Sequence, residues 1–150
     1  MTVVKEACVD NIQDAINAFK KGADRIEFCS NLDEDGLTPS NYDLISLKKS
    51  ISIPVRVMVR PHSNSFNYNE DDLINMRETI EFCKNQKFDG VVFGCLDEDN
   101  ELDLNKIKYL ADFSKPLNVI IHKAIDLTSS PVNSLKKLLE INSVNGVLTS

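Results

Sequence analysis

Short apolar segments alternate with amphipathic helical ones along the whole of this 150-residue chain, and that alternation limits its fold more than any other feature. Val3 to Cys8, Ala23 to Cys29, Ile53 to Arg60, Phe88 to Leu96, Leu117 to Ala124 and Val144 to Thr149 have the length and composition of strands. Asp10-Asn11-Ile12-Gln13 resembles a capping box, Ile12, Ala15, Ile16 and Phe19 follow at helical spacing, and Gly22 is placed to end that helix. Ser40, Asn69 and Asp103 read as caps of three further helices, and Ser130-Pro131 opens a fifth by the cap-then-proline rule. The inward stripe expected of that fifth helix is Val132, Leu135, Leu138 and Leu139. No linker, low-complexity stretch or sequence repeat interrupts the pattern, so residues 1–150 read as one domain.

Strands separated by helices imply βαβ units, hence a parallel sheet with right-handed crossovers. Either an open doubly wound sheet or a closed barrel satisfies this. The first strand–helix turn lacks a glycine-rich phosphate fingerprint, which counts against the dinucleotide-binding version of the open sheet. Strand parity decides further. One parity carries Glu6 and Cys8, then Arg25, Glu27 and Cys29, then Arg56 and Arg60, then His122; the other is aliphatic, as in Ile26, Phe28, Val55, Val57 and Val59. Polar groups on one face of several parallel strands require a shared, partly wet interior, which a TIM-type (β/α) barrel provides.

Composition narrows the function classes. Hydrophobic residues are 42% and charged residues 27%, as in ordinary globular domains. A net charge of −6 gives no electrostatic support for nucleic acid or an anionic membrane as partner. No apolar run approaches the roughly 20 residues of a membrane span, and Met1 leads straight into a strand-like segment without signal-peptide layout, so a cytoplasmic location is expected. In that compartment the four cysteines read as thiols, metal ligands or core residues.

The chemistry-bearing residues are expected at the C-terminal ends of the strands, where barrel enzymes build their sites. Glu6, Glu27 and His122 are the acid/base candidates; Arg25, Arg60 and Asp126 are the substrate-binding candidates. Glu6, Arg25 and Glu27 read equally well as interior ion pairs that neutralise one another. Cys8 and Cys29, each two residues past an interior glutamate on adjacent strands, are a candidate Cu(I) pair, although buried cysteine is also a common core filler. Cys83 lies on a buried helical stripe, Cys95 could approach the same mouth, and His62 in a polar loop is expected to face solvent.

Several segments together resemble the CutC family: Glu6-Ala7-Cys8, Gly22 to Cys29 (GADRIEFC), Gly36 to Ser40 (GLTPS), Val59-Arg60-Pro61, Gly94-Cys95-Leu96-Asp97, His122 to Asp126 and Val147 to Ser150. The resemblance implies a TIM-type barrel, a cytoplasmic copper-homeostasis role, self-association into homo-oligomers, Cu(I) at Cys8 and Cys29, and a polar mouth made of Glu6, Arg25, Glu27, Arg60, His122 and Asp126. Two departures stand out. Lys123 replaces the arginine usual after the histidine, and the chain ends at Ser150 where the family continues through two more strands. The resulting expectation is an incomplete barrel of about six strands out of eight, a truncated form with open sheet edges. Three functions follow from the sequence: a Cu(I)-binding homeostasis protein, a barrel enzyme acting on a small anionic metabolite, and a fragment whose interior charges only pair.

Overall fold

A computed structural model describes residues 2–150. The elements run β1 (Glu6–Val9), α1 (Ile12–Lys20), β2 (Arg25–Phe28), α2 (Asn41–Ser50), β3 (Val55–Met58), α3 (Glu70–Asn85), β4 (Gly90–Phe93), α4 (Leu104–Ser114), β5 (Asn118–Ile121), α5 (Pro131–Leu138) and β6 (Gly146–Val147). Single 3-10 turns follow β2 (Leu32–Glu34) and β5 (Lys123–Leu127). Each strand pairs in parallel with its successor, in the order β1-β2-β3-β4-β5-β6. The order never reverses, as it would in a doubly wound sheet, so the sheet is a curled, open part of a (β/α) barrel with β1 and β6 at its edges. Among the described residues no helix is long and apolar enough to cross a membrane.

The helices start where their caps dictate. The side chains of Ser40, Asn69, Asp103 and Ser130 accept from the backbone N–H three residues on, and Asn69 with Asp72 completes a reciprocal capping box. The first cap is Asn11, one residue later than expected, accepting from Asp14. Asp10 is engaged elsewhere: its carboxylate accepts from the Leu32 N–H and ties β1 to the loop after β2.

Strand parity separates two cores. The aliphatic parity, including Ile26, Phe28, Val57, Val91 and Ile121, is buried with Leu44, Leu47, Met76, Ile80, Ile107 and Leu110 of the helices. Each such side chain withdrawn from water contributes about 1.5–3 kcal/mol, which holds helices to sheet. The opposite face carries a small inner cluster of Cys29, Met58, Val92 and Ile120, joined by Leu148.

The expected inward stripe of α5 is corrected. Leu138 is buried, but Val132, Leu135 and Leu139 are exposed, and Ser134 is buried in their place. The stripe is amphipathic, yet its apolar side borders an open groove beside β6 at the sheet edge, where no further element covers it among the described residues.

Candidate functional site at the C-terminal end of the sheet

The inner apolar cluster divides the polar parity into two separate groups. Below it, at the N-terminal ends of the strands, Arg25 and Glu6 form an ion pair through the arginine Nε, Arg56 Nη1 lies 3.7 Å from the same glutamate, and Arg56 Nε lies 3.2 Å from Asp89. Asn118 donates to the Asp89 carbonyl at 3.1 Å. Glu6 and Arg25 are the first residues of β1 and β2 and are register partners, so they stand far from the strand ends where chemistry was expected. That placement is corrected. Two residues along a strand displace a side chain by about 6.6 Å, so residues of equal parity reach opposite ends of the sheet.

Above the cluster lies a cavity of about 320 Å³ whose walls include Cys8, Glu27, Cys29, Met58, Arg60, Phe66, His122 and Lys123. A larger groove beside α5 and β6 carries no titratable side chain, whereas this cavity gathers the buried Glu27, Arg60 and His122.

Arg60 follows β3 and is 5% exposed. Its Nη1 donates to the carbonyls of Glu34 (2.6 Å) and Gly36 (3.1 Å), and Nη2 donates to Ser63 at 3.5 Å. The guanidinium carbon stacks 4.8 Å from the Phe66 ring centroid, and Nε has no hydrogen-bond partner among the described residues. No carboxylate lies within ion-pair distance of it among the described residues. The loop that turns these carbonyls inward does so through left-handed residues Asn31, Asp35 and Gly36. At Gly36 a Cβ would also lie 3.2 Å from the Cys29 sulfur. Thr38 then fixes the arginine backbone, accepting from its N–H through Oγ1 and donating to its carbonyl. These steps give the GLTPS segment its local role.

His122, just past β5, is 6% exposed and lines the same cavity. Its Nδ1 accepts from the Ala124 N–H at 3.1 Å, whereas Nε2 is buried without a partner among the described residues. Accepting at Nδ1 places the ring proton on Nε2 in the neutral imidazole. Burial, reinforced by the Arg60 charge, lowers the ring pKa to about 4, so the neutral form persists at neutral pH. Its ring is packed 4.9 Å from that of Phe66. Lys123 follows at the exposed rim.

Glu27 is 5% exposed and makes no ion pair among the described residues. Burial, helped by the Glu6 charge, raises its pKa. Its Oε1 accepts from the Cys8 thiol at 3.8 Å, and no hydrogen bond engages Oε2 among the described residues. The neighbouring Cys29 thiol lowers the Cys8 pKa, while Cys29, buried and donating to the Val9 carbonyl at 3.6 Å, is pushed up chiefly by its contact with Cys8. Both are free thiols. Among the described residues no group of three His, Cys, Asp or Glu side chains converges on a metal position.

Three other expectations change. Asp126 accepts from the N–H and hydroxyl of Ser150, both at 2.9 Å, and does not line the cavity. Cys95 has the outward parity and is fully buried beneath the helices, away from the mouth, with its thiol raised to about 12 by burial. His62 is half-buried, with Nε2 3.3 Å from Asp72 and its ring against Tyr68. Sequence reasoning did not single out Gly36, Thr38, Met58, Phe66 or Gly94 as site residues. Of these, Gly36, Thr38 and Gly94 fall within the segments quoted above for the family resemblance, whereas Met58 and Phe66 left no signal.

The human copper homeostasis protein cutC homolog is 41% identical over 145 residues, covering 97% of this chain and 53% of the human protein. A CutC family protein of Parabacteroides distasonis is 36% identical, covering 100% of this chain and 62% of its own length. The chain thus spans roughly half to two-thirds of these curated relatives. A CutC crystal structure from Streptococcus agalactiae superposes with a TM-score of 0.88 at 28% identity, over 99% of this chain and 72% of that one. Phosphoenolpyruvate phosphomutase from Streptomyces platensis subsp. rosaceus, at 10% identity and a TM-score of 0.68, shares the fold alone, over 99% of this chain and 60% of that one. The CutC family model itself matches residues 3–150, and the chain belongs to the CutC family.

Proposed function

We propose that the mouth of this sheet binds a small anionic metabolite, with Arg60, His122 and Lys123 as its anion contacts and Glu27 as the proton-transfer group. One observation carries the reading: Arg60 is a buried guanidinium without a carboxylate counterion among the described residues, and it lines the same cavity as the buried His122 ring. Neutral carbonyls satisfy its Nη1 and Nη2 groups but leave its buried charge uncompensated, and an anionic ligand would neutralise it. Removing Arg60 takes away that charge and leaves the Glu34, Gly36 and Ser63 carbonyls without their donor. Arg60→Gln is expected to weaken binding of inorganic phosphate or oxalate about tenfold or more in a calorimetric titration. Equal affinity in the two proteins contradicts the reading.

A copper-handling role is the second reading, favoured by the placement of Cys8 and Cys29 together on one wall of the cavity. Two thiols suit a soft Cu(I) ion held by few ligands and offer nothing to a four-coordinate zinc site. The names of the human, mouse and Dictyostelium relatives are consistent with it. The double variant Cys8→Ser, Cys29→Ser loses stoichiometric Cu(I) uptake in a chelator competition if the pair is the ligand set; unchanged uptake removes it. The cytoplasmic location and the homo-oligomer belong to the same proposal, and sedimentation of the purified chain tests the latter.

A further inference from the structure

We infer that the ligand of this mouth is a small monocarboxylate with an apolar, branched or aromatic body, whose acid end lies toward Arg60 and whose body packs against a rim of Leu32, Leu127 and Leu148. The inference rests on the anion-binding reading, which supplies the charge for the acid end, and adds the chemical class of what is bound.

The apolar surface of the cavity is assembled from separate strand ends. Leu32 opens the 3-10 turn after β2, Leu127 closes the one after β5, Leu148 follows β6, and all three line the cavity. Leu148 also packs onto the inner cluster, whose Cys29 and Met58 line the cavity too, so the rim continues into the floor. Leu32 is 41% exposed and Leu127 is 59% exposed. Single exposed leucines are ordinary on a protein surface. Two from different loops, lining the same cavity as a buried guanidinium, make a surface that a ligand can cover. Each CH2 that a ligand moves from water onto such a surface raises its affinity by up to about fourfold.

The polar lining sets the complementary limits. Among the described residues it holds no Ser, Thr, Asn, Gln or Tyr side chain, so the hydroxyls of a sugar would leave water with few partners to receive them. Its cations are Arg60 and Lys123, and Glu27 and Asp35 stand in the same lining. A second negative charge on the ligand therefore meets carboxylates rather than spare cations. Arg60 is held before any ligand arrives: the carbonyls of Glu34, Gly36 and Ser63 accept from its Nη groups, and Thr38 accepts from its backbone N–H. Little side-chain freedom is left to lose on binding. The cavity of about 320 Å³ equals about ten water molecules and admits an acid of roughly ten non-hydrogen atoms. One charge, an apolar body and that size describe a short branched or aromatic carboxylic acid.

The test measures binding to the full chain by calorimetry for acetate, glycerate, 4-methylpentanoate and phenylacetate, which carry one carboxylate on different bodies, with inorganic phosphate alongside. The expected result is that 4-methylpentanoate or phenylacetate binds at least about tenfold tighter than acetate, while glycerate gains nothing. The double variant Leu32→Ser, Leu127→Ser alters two exposed side chains and so spares the fold. It is expected to cut that preference about fivefold or more and to leave phosphate affinity within about twofold. Arg60→Gln is expected to weaken every probe. Equal affinity for all the monocarboxylates, or a preference for glycerate, with phosphate still bound, overturns the apolar class and leaves the anion site standing. A preference that survives the double variant overturns the leucine rim. Unchanged 4-methylpentanoate affinity in Arg60→Gln puts that ligand elsewhere, as in the apolar groove beside α5, and overturns the inference. Absence of binding by every probe, phosphate included, overturns both readings.

Discussion

Gly94 shows how a single missing side chain sets the chemistry of the cavity. A Cβ at that position would approach His122 Cε1 to 2.7 Å and Nδ1 to 2.8 Å, closer than any real contact, so the imidazole occupies space that only glycine leaves free. The ring in turn accepts the Ala124 N–H at Nδ1, and its Nε2 is buried. Gly94→Ala must therefore move a ring that is packed against Phe66. We expect the variant to lose about 1–3 kcal/mol of stability in a denaturant titration and to bind phosphate more weakly, because overpacking displaces the donor. A variant matching wild type in both would show that the ring is not held by this contact.

At the scale of elements, the strands place equal-parity residues in different environments. The network of Glu6, Arg25, Arg56 and Asp89 ties the starts of β1 to β4 together, and Glu6 is its shared anion. Glu6→Gln leaves two half-buried arginines with one carboxylate between them, so it is expected to destabilise the fold by about 1–3 kcal/mol while leaving anion affinity at the mouth intact. Loss of affinity without loss of stability would move Glu6 into the binding site. Much of this level was legible in the residues themselves: all five helix starts were signalled by Asn11 or its neighbour Asp10, Ser40, Asn69, Asp103 and Ser130, and the polar parity of the strands does face inward. Which end of the sheet each polar residue occupies was not legible. It depends on where each strand starts and on inter-strand register, which a single strand does not encode. The hold on Arg60 was hidden for another reason, because it uses the backbone carbonyls of Glu34 and Gly36, which carry no residue-type signal. In α5 the amphipathic stripe was readable in Val132, Leu135 and Leu139, but what lies against it was not.

For the molecule as a whole, the two buried titratable groups of the mouth pull stability in opposite directions with pH. His122 has its folded pKa depressed, so its contribution is present above the unfolded value near 6.5 and is lost as pH falls toward about 4, an effect on the order of 3 kcal/mol. Glu27 has its folded pKa raised, so its contribution is present below the ordinary glutamate range and is lost as pH rises through the raised value. Chemical denaturation across this range is expected to show a His122-dependent fall on the acid side that His122→Gln flattens, and persistence of the full slope in that variant would assign the loss to other groups. A site whose side chains are held in disfavoured charge states is what a sheet curled around a small, shielded cavity produces, whereas a flat or outward-facing surface would leave both groups at ordinary values. The most direct measurement of that claim is an NMR titration of the His122 ring in the wild-type protein. A midpoint near 4, with the proton on Nε2 at neutral pH, is the result expected of a buried ring accepting from Ala124. A midpoint near the ordinary 6.5, with exchange between tautomers, would mean that the ring is open to water and that no shielded anion site exists at this end of the sheet.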